Sequence, residues 1–167
     1  TTNLCKPADY VEPDIEPSKT MLTQAVNAPE NLVNLPGYDQ TPKFSPDGRY
    51  LAWASMSRNG YEADRMRLCC YAMQTGEKSF LTESFDSNVD DFCWASDSRT
   101  LYYIGVWHAT ENLYRTNIEG EVSQLTNDWA DFGSLQMLND SRLLAERHSF
   151  IAPADLYTVT PGDSVND

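Results

Sequence analysis

A turn motif that returns twice, a matched strand and glycine turn later in each unit, and the lack of any sustained helical period predict an all-β fold. The expected architecture is a partial β-propeller of consecutive four-stranded antiparallel blades. The motif first reads Phe44-Ser45-Pro46-Asp47-Gly48-Arg49-Tyr50-Leu51-Ala52-Trp53. It returns as Trp94-Ala95-Ser96-Asp97-Ser98-Arg99-Thr100-Leu101-Tyr102-Tyr103 and, eroded, as Met137-Leu138-Asn139-Asp140-Ser141-Arg142-Leu143-Leu144-Ala145. Aligning Asp47, Asp97 and Asp140 gives spacings of 50 and 43 residues. The second echo lies at 68–76, 113–120 and 156–162, and two units close on Phe80-Leu81-Thr82 and Gln124-Leu125-Thr126.

Each element has a local reason. Proline presets φ, aspartate takes hydrogen bonds from nearby backbone, and glycine relieves the reversal. The stretch after the turn is apolar, aromatic or β-branched, as a strand should be. A variable loop, a third strand, a glycine hairpin and a fourth strand complete the unit. Blades are expected at 36–83 and 84–127, with an incomplete one at 128–167. Residues 20–35 read as half of an earlier blade, with strands at 21–26 and 31–34 around a turn at 27–30. Residues 1–19 are Pro-rich and acidic, and read as extended. Trp53, Trp94, Trp107 and Trp129 fall near strand ends and are expected to fill the spaces between blades. The chain begins at Thr1, as a processed or excised piece would. A propeller of so few blades leaves sheet edges open, through which copies could pair into a homo-oligomer.

Composition narrows the function. With 12 Lys+Arg against 25 Asp+Glu the net charge is −13, which repels a phosphate backbone and speaks against nucleic-acid binding. No apolar run is long enough to cross a bilayer as a helix, so no membrane partner is expected. Cys5, Cys69, Cys70 and Cys93 form no C-x-x-C pair, and both histidines are distant in sequence. They read as small buried hydrophobes, with Cys69 and Cys70 on opposite faces of one strand. The Asp-Gly turns supply too few oxygens for calcium, so neither metal nor cofactor is expected. No Gly-x-Ser-x-Gly elbow occurs, and His148 and Ser149, as strand neighbours, point apart. The chain alone is therefore expected to have no catalytic residue.

The turn around Pro46-Asp47-Gly48 resembles the repeat of TolB-type propellers and of prolyl-oligopeptidase-family serine peptidases. Longer strings are more specific: Leu35-Pro36-Gly37-Tyr38-Asp39-Gln40-Thr41-Pro42, Ser55-Met56-Ser57-Arg58-Asn59-Gly60-Tyr61-Glu62-Ala63-Asp64-Arg65, Asp90-Asp91-Phe92-Cys93-Trp94 and Arg147-His148-Ser149. Over residues 31–160 the chain is similar to the N-terminal propeller of bacterial exported dipeptidyl peptidases and acylaminoacyl-peptidase relatives. That resemblance implies a parent in which a seven- or eight-bladed propeller caps a C-terminal α/β-hydrolase domain carrying a Ser-Asp-His triad. It also implies peptide substrates and an exported, periplasmic location. The other reading is a TolB-like module that only binds proteins.

The connection 55–65 is longer than a hairpin needs. It carries Tyr61, Glu62 and Asp64. An exopeptidase that counts from the amino terminus must hold a free ammonium group, and a carboxylate beside an aromatic ring suits that task. Glu62 is the first candidate, Asp64 the second, and Tyr61 the apolar wall. A solvated hairpin tip is the alternative.

Overall fold

The computed structural model describes residues 31–60, 62–139 and 141–162. Tyr61, Asp140, Cys5 and the strand expected at 21–26 lie outside the described residues. Nearly everything described falls in the second of two units, Val33–Asp167.

Eleven strands make three antiparallel sheets. The first holds β1 (Asp39–Phe44), β2 (Tyr50–Ser55), β3 (Arg67–Ala72) and β4 (Lys78–Phe80), paired in chain order. The second holds β5 (Val89–Trp94), β6 (Thr100–Trp107), β7 (Thr110–Asn117) and β8 (Val122–Gln124) in the same order. The third holds β9 (Asp131–Met137), β10 (Leu143–Ser149) and β11 (Ala152–Val159). No helix occurs among the described residues. One expectation fails locally: residues 31–34 bend instead of forming a strand. Asn34 sits at φ 43° and Gly37 at φ 91°, which breaks the extended path before β1.

The repeated turns share a hydrogen-bond pattern. Gly48 N donates to Ser45 O (2.9 Å) and Ser98 N to Ala95 O (3.2 Å), while Ser45 N and Ala95 N reach Tyr50 O and Thr100 O. In the third sheet Ser141 N donates to Leu138 O (3.1 Å), but Leu138 N reaches Arg142 O, one residue sooner. Gly48, Ser98 and Ser141 all occupy the left-handed region, at φ 71°, 59° and 66°. Asp47 Oδ1 accepts from Ser45 Oγ (2.7 Å) and Arg49 N (3.0 Å). Asp97 Oδ1 accepts from Arg99 N and Thr100 N (both 2.8 Å) and its Oδ2 from Thr100 Oγ1 (2.7 Å). The backbone bond from Arg49, with help from Ser45, holds the Asp47 carboxyl at about 2. At Asp97 burial pushes the other way, yet the bonds from Arg99 and Thr100 outweigh it and lower the pKa.

The middle sheet is a wall shared by two cores. Along β6, Leu101 and Tyr103 enter a cluster with Leu68 and Cys70 of the first sheet and Leu81 just after it. The alternate residues Tyr102 and Ile104 join Phe132, Leu135, Leu143 and Ala145 of the third. This two-residue alternation is what a strand with both faces covered requires. Cys70 lies in the first cluster, and its neighbour Cys69, also buried, does not. Burial pushes the Cys69 and Cys93 thiols up to about 12 and Cys70 to about 11, and all three are free. They pack as hydrophobes and are poor nucleophiles. Trp53 and Trp94 are buried, but Trp107 and Trp129 are exposed, Trp129 to 91%. Trp107 ends β6 at a tight turn, and Trp129 lies in the connection before β9, so neither is carried into a sheet face.

Candidate functional site

The first strand of every sheet carries a bulge. Gln40 and Lys43 pair with Ala54 and Ala52, Val89 and Phe92 with Gly105 and Tyr103, and Gly133 and Gln136 with Glu146 and Leu144. Each case places one extra residue on the first strand, which bends it and re-aims its side chains. In the middle sheet the bulge aims Asp91 at both neighbours. Its Oδ1 pairs with Lys43 Nζ at 2.9 Å and its Oδ2 accepts from Leu135 N at 2.9 Å. The preceding residue, Asp90, is exposed at the same end of the strand.

Antiparallel order puts the starts of β1, β5 and β9 at the same ends of their sheets as the β2–β3, β6–β7 and β10–β11 connections. In the second and third sheets those connections are short. His108 and Ala109 turn at φ 51° and 63°, and the His108 ring stacks on Trp107 at 4.7 Å. In the first sheet the connection runs from 56 to 66 and is stitched at both ends. Met56 N donates to Tyr38 O (3.0 Å), and Gly37 N to Asn59 Oδ1 (2.8 Å). Gly37 is needed there, because a Cβ would lie 2.2 Å from Met56 O. On the other side Met66 N donates to Asn88 Oδ1 (2.8 Å), and Val89 N to Met66 O (3.0 Å).

Asp64 organises the loop. Its carboxylate accepts from Ser57 N (2.9 Å) and Arg65 N (3.1 Å) and pairs with Arg58 Nη2 at 3.2 Å. The Arg58 bond leads in holding its pKa below the usual range. Glu62 is exposed and makes no hydrogen bond or ion pair with any described residue. Both carboxylates line a cavity of about 250 Å³ with Asp90, Gln40, Met56 and Met66. Of the sequence candidates, the structure brings Glu62 and Asp64 to one cavity. Asp90, from the next sheet, is the residue the sequence reading missed. Its only signal was the Asp90-Asp91 pair, whose placement depends on a bulge.

The acidic character continues along this end. Glu111 has a raised pKa, by burial first and then by Asp90 and Asp131. Its amide donates to Asp131 Oδ1 (2.9 Å), and Asp131 Oδ2 lies 3.7 Å from His148 Nε2. His148 is thus turned to a carboxylate, and no hydrogen bond joins it to Ser149 among the described residues. The described residues contain no group of three or more His, Cys, Asp or Glu able to hold a metal ion.

No family model matches the chain. It is 43% identical over 126 residues, 75% of its length, to "Dipeptidyl-peptidase 5" of Porphyromonas gingivalis. It spans 18% of the length of that relative. Its fold is similar to a puromycin-hydrolyzing peptidase of Mycobacterium tuberculosis, with TM-score 0.64 and 18% identity over 78% of this chain and 23% of the other. It is also similar to the β-propeller domain of the Trilobed protease from Pyrococcus furiosus, with TM-score 0.56 and 14% identity over 72% of this chain and 36% of that one. At such identities the structural likeness establishes the fold, which is that of β-propeller blades.

Proposed function

We propose that the chain is a propeller segment of an exported serine exopeptidase, whose blades admit and orient peptides for an α/β-hydrolase domain elsewhere in the parent protein. The observation that carries this reading is the 43% identity to a dipeptidyl peptidase across most of the chain. The sequence holds no Gly-x-Ser-x-Gly elbow, so the nucleophile must come from outside it. The remaining blades and the hydrolase domain are its intramolecular partners.

Within this reading Glu62 receives the free amino terminus of the substrate. It is the one loop carboxylate left without a partner among the described residues, whereas Asp64 is occupied in shaping the loop. Tyr61 adjoins it in sequence as the apolar wall. A charge-assisted bond from an ammonium group to such a carboxylate is lost when that group is acylated.

Kinetics on the parent protein test the assignment. Glu62→Gln should raise KM for peptides with a free amino terminus by about tenfold, the equivalent of one charge-assisted bond, and leave N-acylated peptides near the wild-type value. An equal response from both substrate classes would return the loop to a connector. A parent that hydrolyses no peptide would favour the TolB-like binding module. Cell fractionation checks the exported, periplasmic location, and recovery with cytoplasmic markers would remove it.

A further inference from the structure

The loop that carries Glu62 also contains Asn59-Gly60, the one Asn-Gly pair in the chain. We infer that Asn59 is a spontaneous deamidation site, which converts this loop to an aspartate and isoaspartate mixture.

The chemistry needs a nucleophile, an accessible carbonyl and a place for developing charge. The backbone nitrogen of Gly60 attacks Asn59 Cγ, and a succinimide C–N bond forms. The side-chain nitrogen leaves as ammonia, taking up the proton that Gly60 N gives away. Water then opens either carbonyl of the ring, leaving aspartate or isoaspartate at position 59. No oxidant enters, and water is the only co-reactant.

Three observations favour this asparagine. Both Asn59 and Gly60 are exposed, and a Cβ at Gly60 would meet nothing within 4 Å, so no distant segment crowds the turn at that position. Asn59 Oδ1, the atom that carries the negative charge of the tetrahedral intermediate, already accepts from Gly37 N at 2.8 Å. That donor is fixed by the close approach of Gly37 to Met56, and a preplaced amide is the usual means of stabilising such an oxyanion. At three other asparagines the chemistry is obstructed. Asn88 and Asn117 precede the β-branched Val89 and Ile118, and Asn112 is buried with 1% exposure. The product adds a carboxylate beside Arg58, the partner of Asp64. This inference does not depend on what Glu62 binds.

The experiment holds the folded chain at mildly alkaline pH and follows its peptides by mass spectrometry. Isoaspartate is read by a methyltransferase specific for it. The peptide containing Asn59 should gain the mass of exchanging NH₂ for OH at least about tenfold faster than those containing Asn88, Asn112 or Asn117. It should also accept methyl groups, and Gly60→Ala should slow it by about tenfold, with far-UV circular dichroism confirming the fold. Unfolding the chain in urea should slow the reaction at Asn59, since the Gly37 donor is then lost. Conversion of Asn59 no faster than the other asparagines, or unchanged by Gly60→Ala, overturns the site. A rate that rises in urea overturns the role given to Gly37.

Discussion

The two ends of these sheets differ more than any two blades do. At one end, reversals at 45–50, 95–100 and 138–142 share the same inner hydrogen bond and a left-handed residue at the same step, and the third closes one residue sooner. At the other end, one connection runs from 56 to 66, whereas its counterparts after β6 and β10 need only two residues each. The repeated end stabilises the blade, because its polar side chains are spent on its own backbone. The divergent end leaves carboxylates such as Glu62 and Asp90 uncommitted. A repeat protein can vary its chemistry there without disturbing the strands between.

The contrast is broken first in the strands themselves. Leu101→Ala, at 0% exposure between the first two sheets, should cost about 2–5 kcal/mol by transfer loss and cavity formation. Glu62→Gln should leave the denaturant midpoint unchanged. Urea melts of the two variants decide it, and a comparable loss from Glu62→Gln would mean that the long loop is structural.

A smaller effect is expected at the repeated end. Asp97→Ala removes three acceptor contacts and should cost about 1–2 kcal/mol. Its acid behaviour follows from the pKa directions. Asp47 and Asp97 both titrate lower in the folded chain than the ordinary 3.8. They therefore bind fewer protons when folded, and their stabilisation is complete above that value. It is lost as pH falls toward about 2, the Asp47 value. Replacing both with Asn should flatten the stability profile in this window, as acid titration followed by circular dichroism would show. An unchanged profile would place the acid sensitivity elsewhere.

The smallest effect concerns Ser141, exposed at φ 66°. Glycine already serves at the matching Gly48, so Ser141→Gly relieves backbone strain while raising the entropy of the unfolded chain. The two nearly cancel, and a gain of a few tenths of a kcal/mol is expected. Ser98→Gly should be worse than Ser141→Gly, because Ser98 Oγ also accepts from Asp47 N at 3.1 Å across the sheets.

The same contrast explains what could be read from residues alone. The turns and strands were legible because each is encoded within a few consecutive positions: Pro46-Asp47-Gly48 specifies its reversal whatever lies around it. The Cys69 and Cys70 faces followed from strand alternation. The bulges were not legible, since each is a mismatch of count between two strands. With them were hidden the aim of Asp91 and the entry of Asp90 into a cavity built by the preceding sheet. The tryptophans divide along the same line. Trp53 lies within β2, and Trp94, though it ends β5, donates its Nε1 to Lys43 O of the preceding sheet (2.9 Å); both are buried. Trp107 ends β6 at a two-residue turn and Trp129 lies outside any strand, and both are exposed. Asp64 looked like a free carboxylate because nothing local announces that Arg58 and two amides will claim it.

Asp91 makes neighbours of residues that never touch. A single carboxylate holds a lysine of one sheet and an amide of another, so a change felt at Lys43 is transmitted to the Leu135 amide through their common acceptor. Neutralising Lys43 frees one oxygen to rotate and loosens the grip on Leu135. The exchange of that amide with solvent deuterium is then a gauge of how firmly three consecutive blades are keyed together, read at one atom far from where the change was made.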